Sequence, residues 1–306
     1  MDVRQLRYFV EIVEARSFTR AADRVRIAQP ALGLQIRKLE EELGVEILHR
    51  HSRGVEVTEA GKVLLRHANA ILKQVEQAGQ EVKDLSGPPR GEIVLGITPT
   101  ASALLAIPLI RACRDAFPHV SLKLFEGLSE EIMRRLDENS LDMGFTYNPN
   151  AVSGIPTEPL MLEDLYLVGG ANHDNPGTTV SFADVCQRNL ILPSKGFGLR
   201  DWLEDTAREK RLTIDILFEI DSVATTRDLV ESGLGWTILP YAAVEQSVQS
   251  GRLSASQINR PEIPRTLHLA YATSHIGNNA SRAVRGIIDA VIADSISESG
   301  GRLRSA

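Results

Sequence analysis

Cysteine is scarce in this sequence: Cys113 and Cys186 are the two thiols in 306 residues. So few, so far apart, exclude a disulfide framework or a cysteine metal cluster. They point to a reducing, cytoplasmic setting. No apolar run approaches the roughly 18 residues of a membrane helix, so no membrane partner is expected. The N-terminus, with Arg4, Arg7 and Glu11, lacks the apolar stretch of a secretory leader. The phosphate-loop patterns G-x-G-x-x-G and G-x-x-x-x-G-K-[ST] are missing, and Gly233-Leu234-Gly235 is a short turn ahead of a strand. Neither G-x-S-x-G nor H-E-x-x-H occurs. The seven histidines are scattered, so no metal site and no cofactor is expected. These absences leave an enzyme without support.

The charge balance is uneven. The chain carries a net −6, but residues 1–90 hold 15 Lys/Arg against 13 Asp/Glu. The acidity therefore belongs to the remainder, at net −8. Basic residues cluster at 16–26, 37–38 and 50–53. Nucleic acid requires such a local basic face, not a basic chain.

The apolar spacing Val3, Leu6, Phe9, Val10, Val13 predicts a helix. Ser17 is placed to cap a second, with Ala21, Ala22 and Val25 inward. Pro30 fits the first turn of a third, and Gly44 can close it with positive φ. Alternating segments at 47–50 and 55–57, around Ser52-Arg53-Gly54, predict a small hairpin. Three helices and a hairpin within residues 1–58 describe a winged helix-turn-helix.

Residues 59–86 lack proline. Leu64, Ile71, Ala78 and Leu85 recur every seven, and Ala68, Val75 and Val82 form an offset series. Such a double series favours pairing with another copy of the helix over packing on its own domain. Leu64, Ala68, Ile71, Val75 and Val82 are the expected dimer contacts. Ser86-Gly87-Pro88-Pro89-Arg90-Gly91 then marks a boundary.

Beyond it, strand signals at 92–98, 121–126 and 141–145 alternate with helical spacing at 102–117 and 129–139. This βαβαβ pattern implies a parallel sheet with helices on its faces, an α/β fold. Further strands are expected at 165–169, 190–192, 215–220, 237–239 and 268–272. Helices are expected at 199–210, 224–232 and 279–294. The polar tail from Ser295 is expected to be poorly ordered.

The first 65 residues resemble the LysR-type transcriptional regulators. The most specific stretches are SFTRAAD, QPALGLQIRKLEEELG and R-x-x-R-G-V-x-V-T-E-A-G. RGEIVLGIT, LDMGFTY and GLGWTILP stand where that family places its effector-domain signatures. The resemblance implies a winged helix-turn-helix over 1–58, and a dimerising linker helix and hinge over 59–90. It also implies a two-lobed effector domain like periplasmic binding proteins over 91–306, with lobes 91–161 plus 266–306 and 162–265. The implied partners are double-stranded promoter DNA, a small effector, further copies in a dimer of dimers, and RNA polymerase.

A recognition helix presents its N-terminal residues to base edges. Gln29, Pro30, Ala31, Gly33 and Leu34 hold that position. Gln29 can pair with adenine and Pro30 can lie on a thymine methyl. Gln35, Arg37 and Lys38 follow with further donors, Arg50 and Arg53 lie on the wing, and Arg20 is a candidate backbone clamp. The family often has a capping serine where Ala28 stands, and Ser-Arg where Gly33-Leu34 stand. Losing that hydroxyl is expected to cost about 0.5–2 kcal/mol.

Hydroxyls and free N–H groups at a helix start favour an anion. Thr98, Thr100 and Ser102 supply them after the first strand. The resemblance adds Gly127, Leu128 and Ser129, the 193–199 loop with Lys195 and Phe197, and the turn holding Ser222 and Val223. Lys195 and Arg200 are expected to supply positive charge, so a small anionic effector is expected between the lobes. The sparse aromatics give a large aromatic ligand less support. Two rival functions stay open: a redox-sensing regulator using the cysteines, and a ligand-binding protein without DNA function.

Overall fold

The computed structural model describes residues 1–51, 54–84, 88–149, 154–174, 176–272 and 279–306. Three helices open the chain: α1 (Val3–Ala15), α2 (Phe18–Val25) and α3 (Gln29–Leu43). Asp2 and Gln5 close a capping box at the start of α1. Ser17 accepts the Arg20 N–H at the start of α2. Gly44, at φ +70°, ends α3 in the left-handed conformation that glycine tolerates. The inward residues Phe9, Ile12, Leu32, Ile36 and Leu39 form one core with Ile47.

The hairpin pairs β1 (Leu48–His51) with β2 (Gly54–Val57), Leu48 facing Val57. Gly54 has φ +140°, and a Cβ there would stand 2.8 Å from the Arg16 carbonyl oxygen. Only glycine lets the wing lie against the α1–α2 turn so closely.

The long helix α4 (Glu59–Asp84) corrects part of the dimer expectation. Leu64, Leu65, Ile71 and Leu72 pack on the core of their own domain, and Ala68 is fully buried within it. The first half of the heptad series thus covers α1, the alternative reading of that pattern. Val63 and Val75 are exposed. The side chain of Val82, and Leu85 as a whole, lie outside the described residues.

The rest begins with β3 (Gly91–Ile97), α5 (Pro99–Ala116), β4 (Val120–Glu126), α6 (Ser129–Asp137), β5 (Met143–Tyr147) and β6 (Thr157–Glu163). It continues through β7 (Leu165–Gly170), β8 (Thr179–Ser181), α7 (Phe182–Cys186), β9 (Leu190–Leu192), α8 (Gly198–Glu209) and β10 (Ile216–Glu219). After α9 (Val223–Glu231) come β11 (Thr237–Pro240), α10 (Glu245–Gln249), β12 (Leu253–Arg260), β13 (Arg265–Tyr271), α11 (Asn279–Glu298) and β14 (Leu303–Ser305).

One sheet has six strands in the order β14-β6-β13-β5-β3-β4. The other has four, β11-β7-β12-β8, beside a parallel pair of β9 and β10. The parallel expectation holds for β3 with β4 and β5. It fails for β13, β6 and β14, which pair antiparallel and make the large sheet mixed. The chain leaves the six-stranded sheet after Glu163 and returns to it at Arg265. Each sheet has its own core, one around Leu95, Leu105, Phe145 and Leu269, the other around Leu167, Phe182, Leu192 and Leu203.

The tail is a second correction. α11 runs on to Glu298, and β14 pairs with β6. The Ser299 hydroxyl accepts the N–H groups of Gly301 and Leu303, and Arg304 makes two bonds, of 3.0 and 2.7 Å, to Asp164. These side-chain bonds fix a segment whose composition alone reads as loose.

Gly61 offers a check on the packing of the N-terminal unit. A Cβ there would lie 2.1 Å from the Ile47 carbonyl oxygen and 2.6 Å from Val57 Cγ2. Backbone cannot retreat as a side-chain tip can, so Gly61→Ala is expected to destabilise by about 1–3 kcal/mol. Urea unfolding followed by far-UV circular dichroism measures this, and an unshifted midpoint contradicts the packing.

Candidate functional site

Two surfaces carry the chemistry the sequence points to. The first is the start of α3. Its inward face, Leu32, Gly33, Ile36 and Leu39, is buried. Gly33 is therefore buried instead of joining the reading edge, which corrects its expected place. Gln29, Pro30, Ala31, Leu34, Arg37 and Lys38 are exposed, and Gln35 is half-buried. At helical spacing, Pro30, Leu34, Arg37 and Lys38 form one outward stripe. Arg20 is exposed on α2. Arg24 instead lies 3.6 Å from Glu11 and 3.8 Å from Glu14, held to α1. The Arg50 side chain and Arg53 lie outside the described residues.

Ala28 provides no side-chain cap. The geometry leaves little of the expected cost. The second helical residue is Pro30, which has no N–H, and the Ala28 carbonyl already accepts from Ala31 and Leu32 at 2.9 and 3.1 Å. A serine hydroxyl there would find little left to accept. The acidic end of α3 serves structure: Glu40 Oε1 accepts the N–H groups of Ile47 and Leu48 at 3.0 and 3.4 Å. The Met1 amine pairs with Glu42.

The second surface is a cavity of about 120 Å³ between the two sheets. Thr98, Thr100, Leu128, Ser129, Phe197 and Val223 line it, as expected positions. Ser102, Gly127, Lys195 and Ser222 are not among its lining residues. Gly127 packs against the Phe125 ring, and Ser222 turns its hydroxyl to the Thr225 N–H. Lys195 is exposed, 3.6 Å from Glu204. Arg200 is 2% exposed and bonded to Glu204, Glu219 and the Pro193 carbonyl. Neither cation reaches the cavity, which corrects the expected source of positive charge.

The cation that does line it is Arg265. Its Nε and one terminal nitrogen donate to Glu163 Oε2 at 2.9 and 2.6 Å, and that nitrogen also donates to Thr100 Oγ1 at 2.8 Å. The guanidinium carbon lies 3.6 Å from the Tyr147 ring centroid, and the Tyr147 hydroxyl donates to the same carboxylate oxygen at 2.9 Å. Burial, above all, holds the Tyr147 phenol well above its ordinary range. Burial alone would lower Arg265, but Tyr147 and Glu163 outweigh it and the net direction is up. Both groups keep their protons throughout the working pH range. No motif marks Arg265, because its position depends on a strand that begins far along the chain.

The N-termini of α5, α6 and α8 open on this cavity through Thr98, Leu128 and Phe197, none with a side-chain cap bond. Each end carries partial positive charge, offset in the first turn of α6 by Glu130 and Glu131 and of α8 by Asp201. Thr98 is 6% exposed and its hydroxyl has no partner among the described residues. Facing this polar end, Phe197, Leu199, Trp202, Ile220 and Val223 make an apolar wall. Tyr147, Phe197 and Trp202 thus gather here, although aromatics are sparse in the sequence. The cysteines sit elsewhere, Cys113 in one sheet's core and Cys186 in the other's, and burial pushes both thiols up. A reactive thiol needs the opposite shift and access.

A family model described as "Bacterial regulatory helix-turn-helix protein, lysR family" matches residues 3–62, and "LysR substrate binding domain" matches 86–293. The chain is 35% identical over 299 residues to the nitrogen assimilation regulatory protein nac of Escherichia coli K12, covering 97% of each. It is 32% identical over 278 residues to the hydrogen peroxide-inducible genes activator of Dickeya chrysanthemi, covering 89% of each. A full-length OxyR variant from Pseudomonas aeruginosa superposes with a TM-score of 0.75 at 26% identity, covering 97% of this chain and 95% of that one.

The buried pair beneath the cavity can be tested directly. Glu163→Ala leaves Arg265 charged and unpaired, and is expected to cost about 3–5 kcal/mol. Glu163→Leu with Arg265→Met is expected to recover most of that loss. Urea unfolding followed by the fluorescence of Trp202 and Trp236 reads both. Equal losses in the single and double variants would contradict the pairing.

Proposed function

The chain belongs to the LysR family of DNA-binding transcriptional regulators with an effector-binding domain, and on that premise we propose which residues read DNA and what the effector is. Gln29 pairs with an adenine edge in the major groove. Pro30, Ala31 and Leu34 lie along thymine methyls, while Gln35, Arg37 and Lys38 extend the contact. Arg20, and the wing residues Arg50 and Arg53, neutralise phosphates. The exposed stripe of α3 supports this reading, because the opposite face is committed to the core. Val63 and Val75 remain on α4 for pairing between copies, in a dimer of dimers that positions the recognition helices. The protein works in the cytoplasm, contacts RNA polymerase, and acts by binding and not by catalysis.

The effector is a small monoanion with an apolar body, held between the two sheets. The observation that carries this is the two-ended cavity: uncapped helix starts, the unpartnered Thr98 hydroxyl and Arg265 at one end, with Glu130 and Asp221 also on the lining, and Phe197 and Trp202 at the other. A cavity near 150 Å³ holds a benzene ring. About 120 Å³ is less than that and limits the apolar body to a short branched chain or at most a single ring. The buried, proton-retaining thiols weigh against sensing through the cysteines. The ligand acts only through different affinity for two arrangements of the sheets.

Fluorescence anisotropy on DNA from upstream of its own gene tests the DNA half. Gln29→Ala is expected to lose about 1–3 kcal/mol of discrimination at one base position. Arg53→Ala is expected to weaken all sequences alike and flatten the salt dependence by about one phosphate contact. For the effector half, benzoate is expected to raise the melting temperature of the full chain, and Thr98→Val to reduce that rise. Sequence-independent loss with Gln29→Ala, or an unchanged benzoate response with Thr98→Val, counts against the respective half.

A further inference from the structure

A second cavity, of about 360 Å³, lies between α5, α11 and the turn at Tyr241, and shares no lining residue with the first. It carries more carboxylate than the first, where Glu130 and Asp221 stand with Arg265. Glu245, Asp294 and Glu298 stand around it, and Arg302 is the cation that lines it. Among the described residues, Asp294 and Glu298 have no ion-pair partner, and Arg302 reaches Glu245 at 3.9 Å. Arg302 already lies 4.3 Å from the Tyr241 ring centroid, so this wall accepts a cation. Glu163 forms the inner wall. It is 2% exposed, and while Oε2 holds Arg265 and Tyr147, Oε1 is buried with no partner among the described residues.

We propose that this cavity is a second ligand site, taking a small organic cation with a primary ammonium group. Asp294 and Glu298, with no ion-pair partner among the described residues, favour a cation over an anion. Among the described residues no group of three His, Cys, Asp or Glu is arranged to hold a metal ion. An ammonium carries three donors and no acceptor, which suits separated carboxylates beside a tyrosine face. Glu163 joins this site to the first. A cation on Oε1 draws on the carboxylate that neutralises Arg265, and leaves that guanidinium freer for an anion. The coupling rests on the effector reading above, whereas binding of the cation does not, and coupling of this kind is reciprocal.

Titration calorimetry of the full-length chain with putrescine tests the site, against sodium chloride at equal ionic strength. Saturable binding is expected, weakened at least five-fold in D294N/E298Q, a pair of exposed changes outside both cores. With putrescine bound, benzoate is expected to bind more tightly. No saturable binding, equal binding in the double variant, or the same response to magnesium chloride would overturn the site. Putrescine binding with benzoate affinity unmoved would overturn the coupling. Putrescine binding with no benzoate binding at all would overturn the effector reading and leave the cation site supported.

Discussion

The ion pair between Glu163 and Arg265 is the constraint on which the ligand-binding half depends. Glu163 ends β6, where the chain leaves the six-stranded sheet, and Arg265 begins β13, where it returns. One pair therefore clamps both crossings. Removing two charges from water is expensive, and an apolar pair of the same size is often as stable or more so. Such a pair is best understood by what it lets the site read. Arg265 lines one cavity and Glu163 the other, so the pair lies between the two. The next residue extends the clamp: Asp164 holds Arg304 of β14 and Gln257 of β12, joining the C-terminal strand to the four-stranded sheet.

The N-terminal unit solves a different electrostatic problem. Many of its acidic residues are spent internally or held at the far end. Glu40 fastens α3 to the wing, Glu11 and Glu14 hold Arg24, and Glu42 meets the chain's own amine. What remains outward at the start of α3 is neutral or basic. An acidic protein can thus present a DNA-compatible edge without a basic overall charge, since screening confines each charge's reach to about 8–10 Å.

Legibility followed locality. The three helices, the hairpin and the first βαβαβ unit have strong short-range signals, and their observed limits fall within a few residues of the expected ones. The strands that were missed, β6, β8, β12 and β14, are short or polar, and pairing with distant partners defines them. The same physics hid half the cavity. Thr98, Thr100, Leu128 and Ser129 lie at starts of helices that announce themselves, whereas Arg265 and Trp202 reach the cavity through tertiary placement. Charge misled where it was counted without partners: Lys195 and Arg200 are positive, but Glu204 and Glu219 already occupy them. The heptad on α4 was legible as an apolar face but not as to which surface it meets first. A seven-residue series fits any neighbouring apolar surface, and its first half packs on the chain's own helical core.

The start of α3 shows how a departure from the family pattern can be nearly neutral for stability and still matter for recognition. A capping hydroxyl is valuable where the second and third residues of a helix offer N–H groups. Here Pro30 has none, and the Ala31 N–H is taken by the Ala28 carbonyl. Ala28 therefore loses little, and no hydroxyl competes with the groups around it for contact with DNA. Gly33 is buried, so it removes no reading side chain. Of the three departures, the consequence concentrates on Leu34, which is 47% exposed on the outward stripe. Where the family often places an arginine, the chain offers an apolar surface, and desolvating it rewards a methyl-bearing base over a phosphate. Sequence preference in this protein is thus expected to lean on thymine contacts flanked by Gln29, with less of its affinity coming from the backbone.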